Sequence, residues 1–244
     1  VPAGPFLMGT SEEQAAALKE RFDWAKDFDF TNEYPQHTVT LPAFEIGRFP
    51  VTNAEYAEFV RATGYDTPQH WRGGTFPEEL ADHPVVYVTW RDAMAYVAWL
   101  RECTGQPYCL PTEAAREKAA RGTEGLLWPW GDAWDLTRCN MKLGRPGSTT
   151  TPVGQYTSAG GDSPYGCADM AGNVYEWCSS LLESYPYQGD DGRENPEAKG
   201  YRILRGGSWR NDNPAYVRCA YRRWYGPDYG GDTIGFRVAR GSLT

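Results

Sequence analysis

Clusters of positive charge are missing from this chain of 244 residues: no run of Lys or Arg is longer than a pair, and the net charge is −8. Binding to nucleic acid through phosphate neutralisation is therefore not expected. No stretch approaches the roughly 18–20 apolar residues that cross a bilayer, so no membrane span is expected. The opening VPAGPFLMGT lacks the basic region and apolar core of a signal peptide. Histidine is scarce, and His37, His70 and His83 show no metal-like spacing. None of the six cysteines, at positions 103, 109, 139, 167, 178 and 219, forms a C-x-x-C pair. Zinc is not expected, and in a chain this long an even cysteine count does not by itself imply disulfides.

What is present is enough for a sizeable core, with 41% hydrophobic and 14% aromatic residues. The 27 glycines and 18 prolines follow no period, which predicts many turns and long ordered loops. A short strand is expected over Pro5 to Met8, then a helix over SEEQAAALKERFDWAKDF with Ser11 as its cap. In HTVTLPAFEIGRFPV the alternation changes phase at Pro42, predicting an edge strand or a bulge. TNAEYAEFVRATGY reads as a helix capped by Thr52 or Asn53 and stopped by Gly64. TWRDAMAYVAWLRECTG reads as a second, ending at Gly105, and TEAAREKAARG as a third, closed by Gly122. Cys103 and Cys109 flank a helix end and read as core. After Gly122 only short strand-like runs remain: TPVGQY, VYEWC, YRILRGGSW and IGFRV. No repeat or linker divides the chain, so one α+β domain over residues 1–244 is expected, helices first and a small loop-rich sheet late.

The succession PVTNAEYAEFVRATGY, HPVVYVTWRDAMAYVAWL, LPTEA, WPWGD, TTPVGQY, SPYGCADMAGNVYEW, LRGGSW and IGFRVA resembles the sulfatase-modifying-factor family, of which formylglycine-generating enzyme is the best-known member. The resemblance runs over residues 1–240. It implies a C-type-lectin-like fold with little regular secondary structure, calcium sites in some members, and in the enzymes a copper-binding cysteine pair. Fold alone does not imply activity.

In the enzymes both reactive cysteines follow the segment matching Gly206-Gly207-Ser208-Trp209. Counting forward from Ser208 puts those positions on Asn211 and Tyr216; counting back from Cys219 puts them near Trp209 and Pro214. Neither register supplies a thiol, and copper(I) chemistry needs soft thiolate ligands. Cys219 itself matches a structural cysteine and reads as a small buried hydrophobe. A second branch of the family forms sulfoxides at an iron centre whose histidine ligands come from a separate helical domain, which is not seen in this chain. Neither copper nor iron is expected.

The segment from Trp209 to Thr233 contains no Lys, Glu, Gln or Met, which the chain uses freely elsewhere. Randomising the adenines of an asparagine codon that ends in a pyrimidine yields Asn, Asp, Tyr, Gly, Ala, Arg and Thr, and never those four. The frame GGSW…P…VRCAYR…P…IGFRV also resembles the variable proteins of diversity-generating retroelements, which use this fold and vary near the C-terminus. The candidate variable positions, within a segment of about 206–238, are Arg210, Asn211, Asp212, Asn213, Ala215, Tyr216, Arg223, Tyr225, Gly226, Asp228, Tyr229, Gly230, Asp232 and Thr233. Trp224 is included as a ligand-contact position, although the codon argument does not produce it. Tyr, Trp and Arg bring contact area at low rotamer cost, and Asn, Asp and Gly adapt their hydrogen bonding. The plain alternative is a set of turns with exposed aromatics. The expected partner is a protein or surface ligand, in a cytoplasmic or phage- or prophage-associated setting. The alternatives are a cysteine oxidase working by another route, or a structural module of the same fold.

DMAGNVYEW matches the family's calcium loop. The resemblance carries the ligands onto the side chains of Asp169 and Glu176 and the carbonyls of Gly172 and Val174, implying one structural calcium. Alternatively, Asn173 and Glu176 only cap loops. A second site would use Asn140 and Met141, but the later loop LGRPGS offers it no acid. The family's LPTEAEWE reads LPTEAARE here. Ala115 removes half of a capping box, and Arg116, in place of Trp, is expected to be solvated or paired as neutral surface drift.

Overall fold

A computed structural model of the protein describes residues 1–143 and 149–243. Two helices follow directly from their caps. Helix α2 (Asn53–Thr63) starts at Thr52, whose hydroxyl accepts from the Glu55 amide while the Glu55 carboxylate accepts from the Thr52 amide. Helix α3 (Trp90–Thr104) opens on the same reciprocal box between Thr89 and Asp92. Both end on left-handed glycines, Gly64 and Gly105. Their apolar faces meet in an aromatic cluster, with Tyr56 stacked on Tyr96 at 5.8 Å and Phe236 edge-on to Tyr96 at 5.3 Å.

Helix α1 (Glu12–Arg21) is shorter than its composition suggests. Ser11 caps it as expected, but Phe22 turns extended and a 3-10 turn, Asp23–Ala25, follows. The phase change at Pro42 is a change of sheet. Strand β2 (His37–Leu41) pairs with β1 (Gly4–Met8), whereas β3 (Phe44–Ile46) pairs with β9 (Ala239–Gly241), which also pairs with β4 (Tyr108–Cys109). The third sheet has the order β7 (Arg223–Tyr225), β6 (Arg202–Arg205), β5 (Tyr175–Leu181), β8 (Ile234–Gly235). TPVGQY is a pair of turns rather than a strand, with Gly154 at φ +74. IGFRV is regular only over β8.

Helix α4 (Glu113–Arg121) is buried along its whole length, charges included. Arg116 is thus a core residue, 1% exposed, and not surface drift. Thr112 still accepts from the Ala115 amide, the surviving half of the capping box. The carboxylates and arginines of α4 are paired in the interior, while Lys118 donates to the carbonyls of Pro2 and Gly4. Glu113 takes two N–H donors from Arg222, and Glu117 accepts from Arg121 and Arg205.

Buried arginines do in this fold what regular strands do elsewhere. A loop taken out of water must find partners for its carbonyls. The Arg202 guanidinium donates to the carbonyls of Ser179, Asn195, Pro196 and Ala198. Arg205 donates to those of Cys219, Ala220 and Tyr221, and Arg237 to Gly47, Arg48 and Ala168. Five fixed donors per guanidinium suit this task. The irregular C-terminal half is thereby held to β5, β6 and α4.

Candidate ligand-binding surface

The C-terminal segment leaves β6 through Gly206 and Gly207, both at positive φ. Trp209 then anchors it, its amide donating to the Asn173 carbonyl and its indole N–H to the Asp232 carbonyl. A 3-10 turn over Pro214–Val217 follows, capped by the Asn213 side chain, which accepts from the Ala215 amide at 2.8 Å. From the end of that turn onward Val217, Arg218, Cys219, Ala220 and Arg222 are buried, with Arg218 paired bidentately to the buried Glu33.

Against this frame the candidate positions sort clearly. Arg210, Asp212, Asp228 and Tyr229 are exposed, and Asn211, Asn213, Tyr216, Arg223, Trp224, Tyr225, Gly226, Gly230, Asp232 and Thr233 are half-buried. Ala215 is the exception. It is fully buried within the 3-10 turn and does not belong to the contact surface. Asn211 and Asn213 carry structural duties as well, the Asn211 Oδ1 accepting from the Ser208 amide at 2.7 Å.

Two patches emerge. In one, Tyr225 and Tyr229 lie with ring centroids 4.3 Å apart, Arg223 donates to the Tyr225 hydroxyl, and Asp228 pairs with Arg91 of α3. In the other, Arg210 lies over the Trp209 ring and pairs with Asp232. Tyr216, Arg223 and Trp224 also line a cleft of about 470 Å³ whose opposite wall is Asp27, Phe28, Asp29 and Asn32. Phe28 meets Tyr216 edge-on at 5.7 Å. That wall was not foreseen from the sequence, because nothing in an early loop announces contact with a segment nearly two hundred residues later.

The thiols are far from such a role. Cys219 sits in the core cluster with Met170 and the alanines of α4, and burial pushes its thiol up to about 12. Burial likewise raises Cys109 to about 11. Cys103, expected in the core, is instead exposed, and none of the six cysteines is in a disulfide. Native-state alkylation at pH 8 is expected to modify Cys103 ahead of the other five by more than tenfold in rate, read by peptide mass mapping, since reactivity follows thiolate fraction and access. Rapid labelling of Cys219 would contradict the assignment.

The calcium loop residues do not fit calcium. The ion needs about six to eight oxygen ligands with free lone pairs. Both oxygens of Glu176 instead accept from Arg116 and from Arg237, at 2.6–3.1 Å, in two bidentate pairs. Asp169 is held in a left-handed conformation, with one carboxylate oxygen accepting from the Gly154 amide and burial raising its pKa to about 6. Gly172 and Val174 are buried beside it. Asn173 does cap loops: its Oδ1 accepts from Asn140 and the Thr151 amide, and its amide nitrogen donates to the Thr151 carbonyl. Most of the loop LGRPGS, which bears on the second site, lies outside the described residues.

Together these features define an α+β domain of the C-type-lectin type that displays an irregular C-terminal segment on an arginine-bound frame. Residues 1–242 match the model of the sulfatase-modifying factor enzyme 1-like domain, and the chain belongs to that family. It is 34% identical over 265 residues to hercynine oxygenase of Mycolicibacterium smegmatis, covering 93% of this chain and 57% of that relative. With the formylglycine-generating enzyme of Streptomyces coelicolor it shares 32% over 302 residues, covering 98% and 87%. Several curated relatives are much longer, and the chain spans as little as 35% of some of them. Among solved structures, Treponema denticola variable protein 1 superposes with a TM-score of 0.75 over 98% of this chain and 93% of that one, at 23% identity, a likeness of fold.

Proposed function

We propose that the chain is a non-catalytic ligand-binding protein, a variable protein of the kind generated by diversity-generating retroelements, whose C-terminal loops form the contact surface. The observation that carries this reading is the split within one segment. The candidate variable side chains, Ala215 apart, reach solvent, while the interleaved Val217, Arg218, Cys219, Ala220 and Arg222 are buried and bonded. Such a segment can change its outward side chains, Asn211 and Asn213 excepted, without touching the core. Tyr216, Trp224, Tyr225 and Tyr229 supply large rigid contact area, flanked by Arg and Asp. The fold likeness to a variable protein supports the reading without carrying it.

Kinship with the two enzymes favours a second reading, an oxidase or oxygenase. The residue identities oppose the oxidase, since neither Asn211 and Tyr216 nor, in the other register, Trp209 and Pro214 supply the reactive thiols. The two readings separate in one assay. A peptide carrying Cys-x-Pro-x-Arg is incubated with the protein, copper(I) and oxygen, and hercynine is incubated with the protein, iron(II), oxygen and a thiol. Our reading predicts no aldehyde and no hercynine consumption above the metal-only controls; turnover of either substrate would overturn it.

A further inference from the structure

We infer that the Arg116 guanidinium takes the place of a divalent cation at the Glu176 carboxylate, so that this part of the fold is complete without metal. The inference is independent of the proposed function. Glu176 is fully buried, and an isolated carboxylate there would be strongly penalised. Two guanidiniums neutralise it. Arg116 donates through Nε at 2.8 Å and Nη2 at 3.1 Å, and Arg237 through Nε at 2.6 Å and Nη2 at 2.8 Å. A planar fork matches a carboxylate edge as a point charge cannot.

The same guanidiniums also engage the backbone of the loop that would have supplied calcium's ligands. Arg116 donates to the Met170 carbonyl and Arg237 to the Ala168 carbonyl, the two carbonyls that flank Asp169. The site is shaped to admit this cation. A Cβ on Gly206 would lie 2.8 Å from Arg116 Nη2, so the glycine at the start of the C-terminal segment is also what leaves room for the guanidinium. Charge, fork geometry and clearance therefore meet on one residue. Arg116 is thus packed against Gly206, where the C-terminal segment leaves β6.

The test is thermal denaturation of the full chain, with millimolar calcium chloride and separately with EDTA, for wild type, Arg116→Ala and Arg116→Lys. Wild type is expected to melt at the same temperature in both solutions. Arg116→Ala leaves Glu176 with one partner and is expected to melt on the order of 10 °C lower. Arg116→Lys, a single charge without the fork, is expected to fall between them. If Arg116→Ala fails to fold, Arg116→Lys and the wild-type comparison carry the test. A wild-type melting temperature that drops in EDTA and is restored by calcium would overturn the inference, as would an Arg116→Lys protein as stable as wild type.

Discussion

Replacing Arg205 with methionine is expected to destabilise the protein by about 3–5 kcal/mol, the usual cost of breaking a buried ion pair from one side. The Arg205 side chain is 1% exposed and donates to Glu117 and to the carbonyls of Cys219, Ala220 and Tyr221, with Glu113 also within 3.6 Å. Methionine replaces the aliphatic stem of arginine but has no donors. Three buried carbonyls and one carboxylate oxygen then lose their partner, and each loss costs desolvation with no return. For a domain of this size the melting temperature should fall on the order of 10 °C. Arg210→Met is the control. Arg210 is exposed, lies over the Trp209 ring and pairs with the half-buried Asp232, so the change should stay within about 0.5 kcal/mol. Equal effects at the two arginines would mean that the frame does not depend on its buried guanidiniums.

A second large effect is expected where the C-terminal segment begins. Gly207 has φ +72, and a Cβ there would lie 2.5 Å from Val217 Cγ1 and 2.6 Å from the Tyr216 carbonyl oxygen. Gly207→Ala combines left-handed strain with a clash against backbone, together about 2–6 kcal/mol. Gly226 has no atom within 4 Å of its would-be Cβ and no positive φ. Gly226→Ala should therefore be nearly neutral in chemical denaturation, within about 0.5 kcal/mol. The contrast separates a framework glycine from a candidate variable one in the same segment.

Local chemistry was legible in the sequence. Thr52, Gly64 and Gly105 mark α2 and α3 where the structure has them, and Ser11 starts α1. The ordered motifs also led to the right family and fold class. What could not be read were long-range partners. Arg116 looks like a polar intrusion into an apolar position until Glu176, sixty residues on, is found against it. Cys103 lies in the last turn of α3, where Arg101, Glu102, Thr104 and Gly105 are exposed with it, so flanking a helix end does not make it core. TPVGQY has strand-like residues, yet Pro152 and Gly154 make it a turn pair. Ala215 satisfies the codon pattern, but a codon says which residue is encoded and not where its side chain points.

The measurement that bears most directly on the central claim is a display library randomised at Arg210, Asp212, Tyr216, Tyr225, Asp228 and Tyr229, sorted for protease resistance and then panned against an unrelated target such as hen lysozyme. If these side chains are a tolerant contact surface on an independent frame, most clones should remain protease-resistant, and binders should emerge whose affinity is lost when those six residues are returned to the original. A library that largely unfolds, or binders no more frequent than from an equal randomisation on the exposed face of α1, would contradict it.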